Sequence, residues 1–220
     1  MKHIQYWVLI LFVHLSFAQT ILSDIPDKID STKQYVIYLH GAIIENGDPK
    51  PIHPRYGLYD FPSIQQALAT KDIILISEQR KSGTIAVEYA NKVKAQVEEL
   101  IAMGVRAETI TVLGFSKGAG IAIITSDRIK NDKLNYAIMA HCGPWYKNSE
   151  TLNKLRLTGH VLSVYEASDT PGSCENLAKK STNLNSFKEI MTNTGKAHGT
   201  FFQPDAVWLM PVLNWINRKR

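Results

Sequence analysis

Short apolar runs alternate along this sequence with stretches of helical periodicity, and this alternation limits the possible folds more than any other feature. Six runs are rich in β-branched and aliphatic residues: Tyr35–Leu39, Ile73–Ser77, Ile110–Gly114, Tyr136–Ala140, His160–Tyr165 and Phe187–Met191. Most of them are continuously apolar, which is typical of strands that are covered on both faces. The runs therefore predict the buried strands of a parallel sheet.

Helical patterns occupy the segments between these runs. The clearest is Ile85–Met103, where apolar residues recur every three or four positions and Gly104 is placed to end the helix in a left-handed cap. Further helices are predicted at Ser63–Ala69, Lys117–Lys130, Cys174–Lys180 and Asp205–Arg218, the last kinked or interrupted at Pro211. Strands that alternate with helices imply right-handed crossovers. We expect an α/β fold: a doubly wound, mostly parallel six-stranded sheet with helices on both faces.

The N-terminus has the pattern of a signal peptide. Lys2 precedes the apolar stretch Ile4–Val13, and small residues at 16 and 18 mark a cut ahead of Gln19. The stretch is short for a membrane span, which needs about 20 apolar residues, and an uncleaved anchor is the alternative. We expect residues 1–18 to be removed and residues 19–220 to form one domain, secreted or periplasmic, with no membrane span after cleavage.

Charge and composition argue against a nucleic-acid partner. Hydrophobic residues make up 45% and charged residues 20% of the chain, as in an ordinary globular protein. The formal net charge of +5 is spread along the sequence, and the densest basic run, Arg218–Arg220, has no interleaved aromatic residue. We therefore expect no nucleic-acid binding.

The two cysteines, Cys142 and Cys174, are predicted to form a disulfide. An exported protein meets an oxidising compartment, and both residues lie in loops that leave the carboxyl ends of expected neighbouring strands. A Cα separation near the roughly 5.5 Å of a disulfide is therefore within reach. Two buried, unpaired thiols are the alternative. Two thiols are too few for a metal site of their own, and we expect no metal.

Polar residues gather at one edge of the predicted sheet. Ligands of doubly wound sheets bind beyond the carboxyl ends of the strands. The residues that follow the six runs are His40-Gly41, Glu78 and Arg80, Ser116, His141-Cys142, Asp169 and Thr194–His198. This edge is where we expect the chemistry.

The strongest local motif is Gly114-Phe115-Ser116-Lys117-Gly118, a G-x-S-x-G match. A serine at a sharp turn from strand to helix adopts a strained backbone, and its flanking residues must be small. The motif follows a predicted strand and opens a predicted helix, which is the required context. Ser116 is therefore the predicted nucleophile, and a structural turn with an incidental serine is the alternative.

These segments resemble the α/β-hydrolase family over nearly all of residues 19–220. Residues 39–41 resemble its oxyanion loop, residues 114–120 its nucleophile elbow as found in small carboxylesterases and thioesterases, and His198-Gly199 its histidine loop. The resemblance implies strands three to eight of the family sheet without its two antiparallel N-terminal strands. Many members insert a helical cap after the sixth strand, but here only Cys142–Leu155 intervenes before the next predicted helix or turn, so we expect a minimal member without a large lid.

The resemblance implies a catalytic triad. A serine hydroxyl needs a base, and the family's histidine loop assigns His198 to that role. In the family's chain order the acid lies between the nucleophile and the histidine, a few residues beyond the fifth run, which selects Asp169 with Glu166 as the alternative. The backbone N–H groups of Lys117 and Ala42 are the expected oxyanion donors.

Substrate contacts are predicted less directly. Arg80 is a candidate for a substrate carboxylate, with an ion pair to Glu78 as the alternative. Trp145 and Tyr146, with aromatic residues of the loop at 43–62, are candidates for a pocket wall or for packing of the loops. The ammonium of Lys117 is expected in solvent or against an anionic substrate.

The resemblance thus implies a serine hydrolase that cleaves small or accessible carboxylic esters through an acyl-enzyme outside the cytoplasm, with no metal or organic cofactor. Hydrolysis of thioesters or amides and acyl transfer at the same site are alternatives, as is a non-catalytic binding protein on the same fold. The acyl and alcohol specificity and the oligomeric state are left open by the sequence.

Overall fold

A parallel sheet forms the centre of the computed structural model, which describes residues 20–143 and 153–218. The predicted signal peptide lies outside these residues. The strands are β1 (Thr20–Leu22), β2 (Gln34–Leu39), β3 (Ile52–His53), β4 (Gly57–Leu58), β5 (Ile73–Ile76), β6 (Ile110–Phe115), β7 (Asn135–Met139), β8 (Thr158–Glu166) and β9 (Asn183–Thr192). Seven of them form the main sheet in the order β1-β5-β2-β6-β7-β8-β9, while β3 and β4 form a small antiparallel pair. Neighbours in the main sheet run parallel.

The predicted α/β class is confirmed, but the sheet has seven strands where the sequence predicts six. The six apolar runs correspond to β2, β5, β6, β7, β8 and β9. The additional strand, β1, has three residues, pairs with β5 at the edge of the sheet and is largely exposed. A strand that is so short and so little buried has no apolar run by which to recognise it.

Four helices of the described residues lie between strands: α1 (Phe61–Leu68), α2 (Ala86–Ala102), α3 (Lys117–Ile129) and α4 (Glu175–Lys179). A fifth, α5 (Ala206–Ile216), follows the last strand. Gly104 has a φ of 100° after α2, as predicted for its left-handed cap. Helix α5 continues through Pro211, where the sequence predicts a kink or break. The lost N–H costs α5 one hydrogen bond, but its buried face, with Trp208 and Val212, holds the helix on the sheet.

Two apolar layers enclose the sheet. Alternate residues of β2 point to opposite faces, as the period of two in a strand requires. Tyr35 and Ile37 pack with α2 and α3 in one layer, whereas Val36 and Tyr38 pack with α1 and α5 in the other. Helices thus cover both faces, and the loops at the carboxyl ends of the strands meet at one edge.

Among the helices within residues 20–143 and 153–218, none combines the length and the apolar content that crossing a membrane requires.

Candidate active site

Ser116 occupies a strained turn between β6 and α3. Its φ of 52° and ψ of −117° lie in a region that residues other than glycine rarely adopt, at a cost of roughly 1–3 kcal/mol. The N–H of Ser116 donates to the carbonyl of Met139 at the end of β7, at 2.9 Å. Such strain is typical of functional positions and fits the predicted nucleophile elbow.

The two glycines of the motif permit this turn. A Cβ on Gly114 would overlap the backbone of Gly118, and a Cβ on Gly118 would overlap the carbonyl oxygen of Leu39. The absence of side chains therefore lets the start of α3 pack directly against the end of β2. This packing brings the loop after β2 to the nucleophile.

The two predicted oxyanion donors each begin a helical segment beside Ser116. Lys117 is the first residue of α3, and Ala42 is the first residue of a 3-10 helix that spans Ala42–Asn46. The first N–H groups of a helix have no partner within the helix. A Cβ on Gly41 would lie 3.1 Å from the Phe115 ring and 3.7 Å from the Cβ of Ser116, so this loop closely covers the elbow. The role of the Lys117 and Ala42 N–H groups as oxyanion donors stays a prediction.

His198 and Asp169 form a hydrogen-bonded pair. The Nδ1 of His198 lies 2.6 Å from the Oδ2 of Asp169, and the two side chains are 17% and 3% exposed. His198 lies in a 3-10 segment, Ala197–Phe201, and Asp169 lies in the turn after β8. The ring of Phe115, the residue before Ser116, has its centroid 4.8 Å from that of His198. The structure thus brings the predicted base to the predicted acid and next to the elbow.

Glu166, the alternative acid, has a different set of partners. Its buried carboxylate accepts hydrogen bonds from the backbone N–H groups of Ser168, Thr194 and Gly195, at 2.7, 2.9 and 3.0 Å. Burial would raise the pKa of Glu166, but these hydrogen bonds and that from the Ser168 hydroxyl outweigh it and lower the pKa. Glu166 therefore ties the turn that carries Asp169 to the loop before His198, a role that the sequence does not reveal.

Arg80 lies inside the protein, away from an open surface where a substrate could bind. Its side chain is fully buried, and its Nε donates to Glu45 at 3.1 Å. Its guanidinium also donates to the carbonyl of His40. The ion pair between Arg80 and Glu78, the alternative from the sequence, is not formed, because Glu78 pairs with Lys92 and accepts from Tyr89.

Glu45 also pairs with the residue that follows the nucleophile. The Nζ of Lys117 lies 2.6 Å from the Oε2 of Glu45, so the ammonium has an ion-pair partner within the protein that the sequence does not predict, while its side chain stays 26% exposed. Glu45 therefore bridges two cations, Lys117 on α3 and Arg80 after β5. Sequence reasoning missed Glu45 because both partners are distant in the chain.

His40 is fixed as a neutral side chain within this cluster. Its Nε2 accepts the backbone N–H of Arg80 at 2.8 Å, so its Nδ1 carries the proton and donates to the carbonyl of Gly41 at 2.7 Å. Burial, and then the charge of Arg80, lower the pKa of His40 to about 3. His40 thus holds the oxyanion loop and is not free to act as a base.

The aromatic residues of the 43–62 loop divide between packing and the site. Tyr59 and Phe61 are buried in the core, which favours the packing alternative for them. Tyr56 is half-buried, and its ring centroid lies 5.8 Å from that of His198, so it borders the candidate site. Trp145 and Tyr146 lie outside the described residues.

A disulfide joins Cys142 and Cys174, as predicted, with a Cα separation of 4.9 Å. It connects the loop after β7 to the start of α4. In the part of the chain that the structure describes, no group of three or more His, Cys, Asp or Glu side chains is arranged to hold a metal ion.

Comparison with known proteins rests on structure, since no protein-family model and no curated protein matches the sequence. A phospholipase/carboxylesterase from Dyadobacter fermentans is 17% identical and has a TM-score of 0.55, over 92% of this chain and 100% of that one. A Bacillus cereus carboxylesterase is 14% identical and has a TM-score of 0.54, over 86% of this chain and 89% of that one. Porphyromonas gingivalis dipeptidyl peptidase 4 has the same identity, TM-score and coverage of this chain, over 32% of its own length.

These similarities extend over most of the described chain and agree with its parallel sheet. The resemblance drawn from the sequence is therefore confirmed at the level of architecture. The chain has the fold of the α/β-hydrolases.

Proposed function

We propose that this protein is a serine hydrolase that cleaves carboxylic esters with Ser116, His198 and Asp169. The observation that carries the proposal is the strained Ser116 turn, which lies beside a hydrogen-bonded His198–Asp169 pair. Structural similarity to carboxylesterases supports ester hydrolysis as the reaction. A fold alone hosts many functions, so the site and not the fold decides the proposed chemistry.

Acylation begins with attack of the Ser116 hydroxyl oxygen on the ester carbonyl carbon. The Nε2 of His198 takes the hydroxyl proton, and the Asp169 carboxylate holds the ring in the required tautomer and stabilises the imidazolium. Negative charge develops on the carbonyl oxygen, where the N–H groups of Lys117 and Ala42 donate hydrogen bonds. The tetrahedral intermediate then expels the alcohol, which takes its proton from His198.

Deacylation repeats these steps with water as the nucleophile. His198 removes a proton from the water, which attacks the acyl-Ser116 carbonyl, and the acid product leaves as His198 returns the proton to the serine oxygen. No step uses Arg80 or the ammonium of Lys117, because both are bound to Glu45. These two cations instead support the segments that supply the oxyanion donors.

We also propose that the enzyme works outside the cytoplasm. The sequence pattern of residues 1–18 and the disulfide between Cys142 and Cys174 support export. Substrates would then be small or accessible esters that reach the protein in the periplasm or the medium. Cell fractionation with an antibody to residues 19–220 tests this, and a purely cytoplasmic product of full length would contradict it.

A panel of chromogenic esters with acyl chains of increasing length tests the activity, run on residues 19–220 and on Ser116→Ala. We expect turnover of at least the short esters and a loss of several orders of magnitude in kcat for the variant. The double variant with His198→Ala should lose little more, since the two residues act as a unit. Thioester and amide substrates in the same panel separate the alternatives. Binding of one of these substrates without turnover would favour the alternative of a non-catalytic binding protein.

A further inference from the structure

The exit of β7 contacts the nucleophile turn from the side opposite the oxyanion loop. Met139, the last residue of β7, accepts the N–H of Ser116 at 2.9 Å. Ala140 then adopts a left-handed conformation with a φ of 51°, while its N–H donates to Val164 at 3.0 Å. A left-handed residue other than glycine costs energy and persists only where its surroundings fix it. This turn precedes His141, a titratable residue that the proposed mechanism does not use.

The imidazole of His141 lies against α3 in space that Gly120 leaves open. A Cβ on Gly120 would lie 2.7 Å from the Cε1 and 2.8 Å from the Nε2 of His141. Both distances are shorter than the non-bonded contacts that Cβ atoms make in proteins. Only glycine at position 120 therefore lets the ring take this place. Gly120 is also the residue whose N–H donates to the carbonyl of Ser116, at 3.1 Å, so the ring lies beside that carbonyl.

Burial lowers the pKa of His141 to about 4, the backbone of Ser116 acts in the opposite direction, and nearby His198 acts in the same direction as burial. A carbonyl beside a ring N–H raises the pKa because it favours the protonated ring, and the Ser116 carbonyl lies beside the ring. The ring is therefore neutral at neutral pH and carries one N–H.

We propose that His141 is a positioning residue for the nucleophile: its imidazole, in the space beside Gly120, holds the Ser116 carbonyl while Met139 holds the Ser116 N–H. This inference rests on the proposed function, since it assigns a role in presenting the Ser116 hydroxyl. The two contacts fix the peptide groups on both sides of a residue whose strained conformation would otherwise relax. Because the His141 ring is neutral, it also adds no second positive charge near His198 when the His198 ring is protonated.

His141→Leu and His141→Gln separate positioning from simple packing. Leu fills space without a donor, whereas Gln keeps an N–H that can reach the carbonyl. For His141→Leu we expect a fall of roughly 10- to 100-fold in kcat and in the rate of labelling by a fluorophosphonate, with KM little changed, because misplaced reacting atoms lose rate and not binding. His141→Gln should recover part of both rates. The matched control is His160→Leu, which removes a contact with Ser186 near the start of β8, at the end of the strand away from Asp169. This variant should keep the wild-type rates.

The Gly120 contact provides an independent test that does not depend on the fold of a single variant. Gly120→Ala should displace the ring and lower the labelling rate by a similar factor. In the His141→Ala background the same substitution should cost little further, since the atoms it would meet are gone. Thermal unfolding of each variant reports whether the fold is kept.

Four outcomes would overturn the proposal. Equal labelling rates for the Leu and Gln variants would make His141 a packing residue. Additive losses for Gly120→Ala and His141→Ala would show that the two residues do not act through one contact. If the labelling rate is unchanged in all variants while the wild type is labelled at Ser116, the role of His141 is contradicted and the proposed function is not. If the wild type is not labelled, both the role of His141 and the proposed function are contradicted.

Discussion

The Nδ1 of His198 lies 2.6 Å from the Oδ2 of Asp169, and the Asp169 side chain is only 3% exposed. A buried carboxylate at this distance fixes which ring nitrogen carries the proton. The other nitrogen, Nε2, is then the acceptor that a serine hydroxyl needs. Phe115 brings this pair to the elbow, because its ring lies against His198 and its backbone leads directly into Ser116.

Asp169→Asn should lower kcat by roughly 10⁴-fold, because an amide in this place favours the wrong imidazole tautomer. Glu166→Gln should instead lower stability by about 1–3 kcal/mol, since an amide nitrogen cannot accept the backbone N–H groups that the Glu166 carboxylate holds. Steady-state ester kinetics and urea unfolding of both variants measure the two effects. A larger loss of kcat for Glu166→Gln at unchanged stability would assign the acid role to Glu166.

Glu45→Ala should lower the free energy of unfolding by about 3–5 kcal/mol, because it leaves the buried guanidinium of Arg80 without its carboxylate. The matched control is Lys50→Ala, which breaks an ion pair with Asp60 in which the lysine side chain is 52% exposed. Exposed pairs contribute about 1 kcal/mol at most. Urea unfolding followed by tryptophan fluorescence gives both values, and equal losses would contradict the structural role given to Glu45.

Two histidines should make the protein sensitive to mild acid. Burial lowers the pKa of His40 to about 3 and that of His141 to about 4, whereas in the unfolded chain both titrate near 6.5. The unfolded state therefore binds more protons below pH 6.5, and stability is lost as the pH falls from 6.5 towards 4. The slope should approach about 1.4 kcal/mol per pH unit for each histidine.

Urea unfolding at pH values from 7 to 5 measures this slope, in a range where most carboxyl groups stay ionised. His141→Gln should show a smaller slope than wild type by about one bound proton. A free energy of unfolding that does not change between pH 6.5 and 5 would mean that these rings are protonated in the folded protein.

The disulfide between Cys142 and Cys174 should stabilise the protein by about 3–4 kcal/mol, since the residues it joins are 32 positions apart. Intact-mass measurement after alkylation, with and without reductant, shows whether it forms in the exported protein. Urea unfolding of the oxidised and reduced forms then measures its effect. Two alkylated thiols before reduction would show that the cysteines stay free in the exported protein.

Much of the sheet and the elbow could be predicted from the sequence because their signals are local. The apolar runs mark the buried strands, and Gly114 and Gly118 mark a turn that no larger residue fits. The environment of Glu45 could not be predicted, since its cationic partners come from the loop after β5 and from α3 and meet it only after folding. The same holds for His141, whose place depends on the left-handed turn at Ala140 and on the space beside Gly120.

An activated nucleophile at Ser116 should react covalently with a fluorophosphonate. Folded protein comprising residues 19–220 is incubated with a fluorophosphonate, digested and mapped by mass spectrometry, with Ser116→Ala and His198→Ala in parallel. We expect one phosphonylated residue, Ser116, no labelling of Ser116→Ala, and a labelling rate for His198→Ala that is lower by several orders of magnitude. Labelling at another residue, or no labelling of the folded wild type, would contradict this expectation.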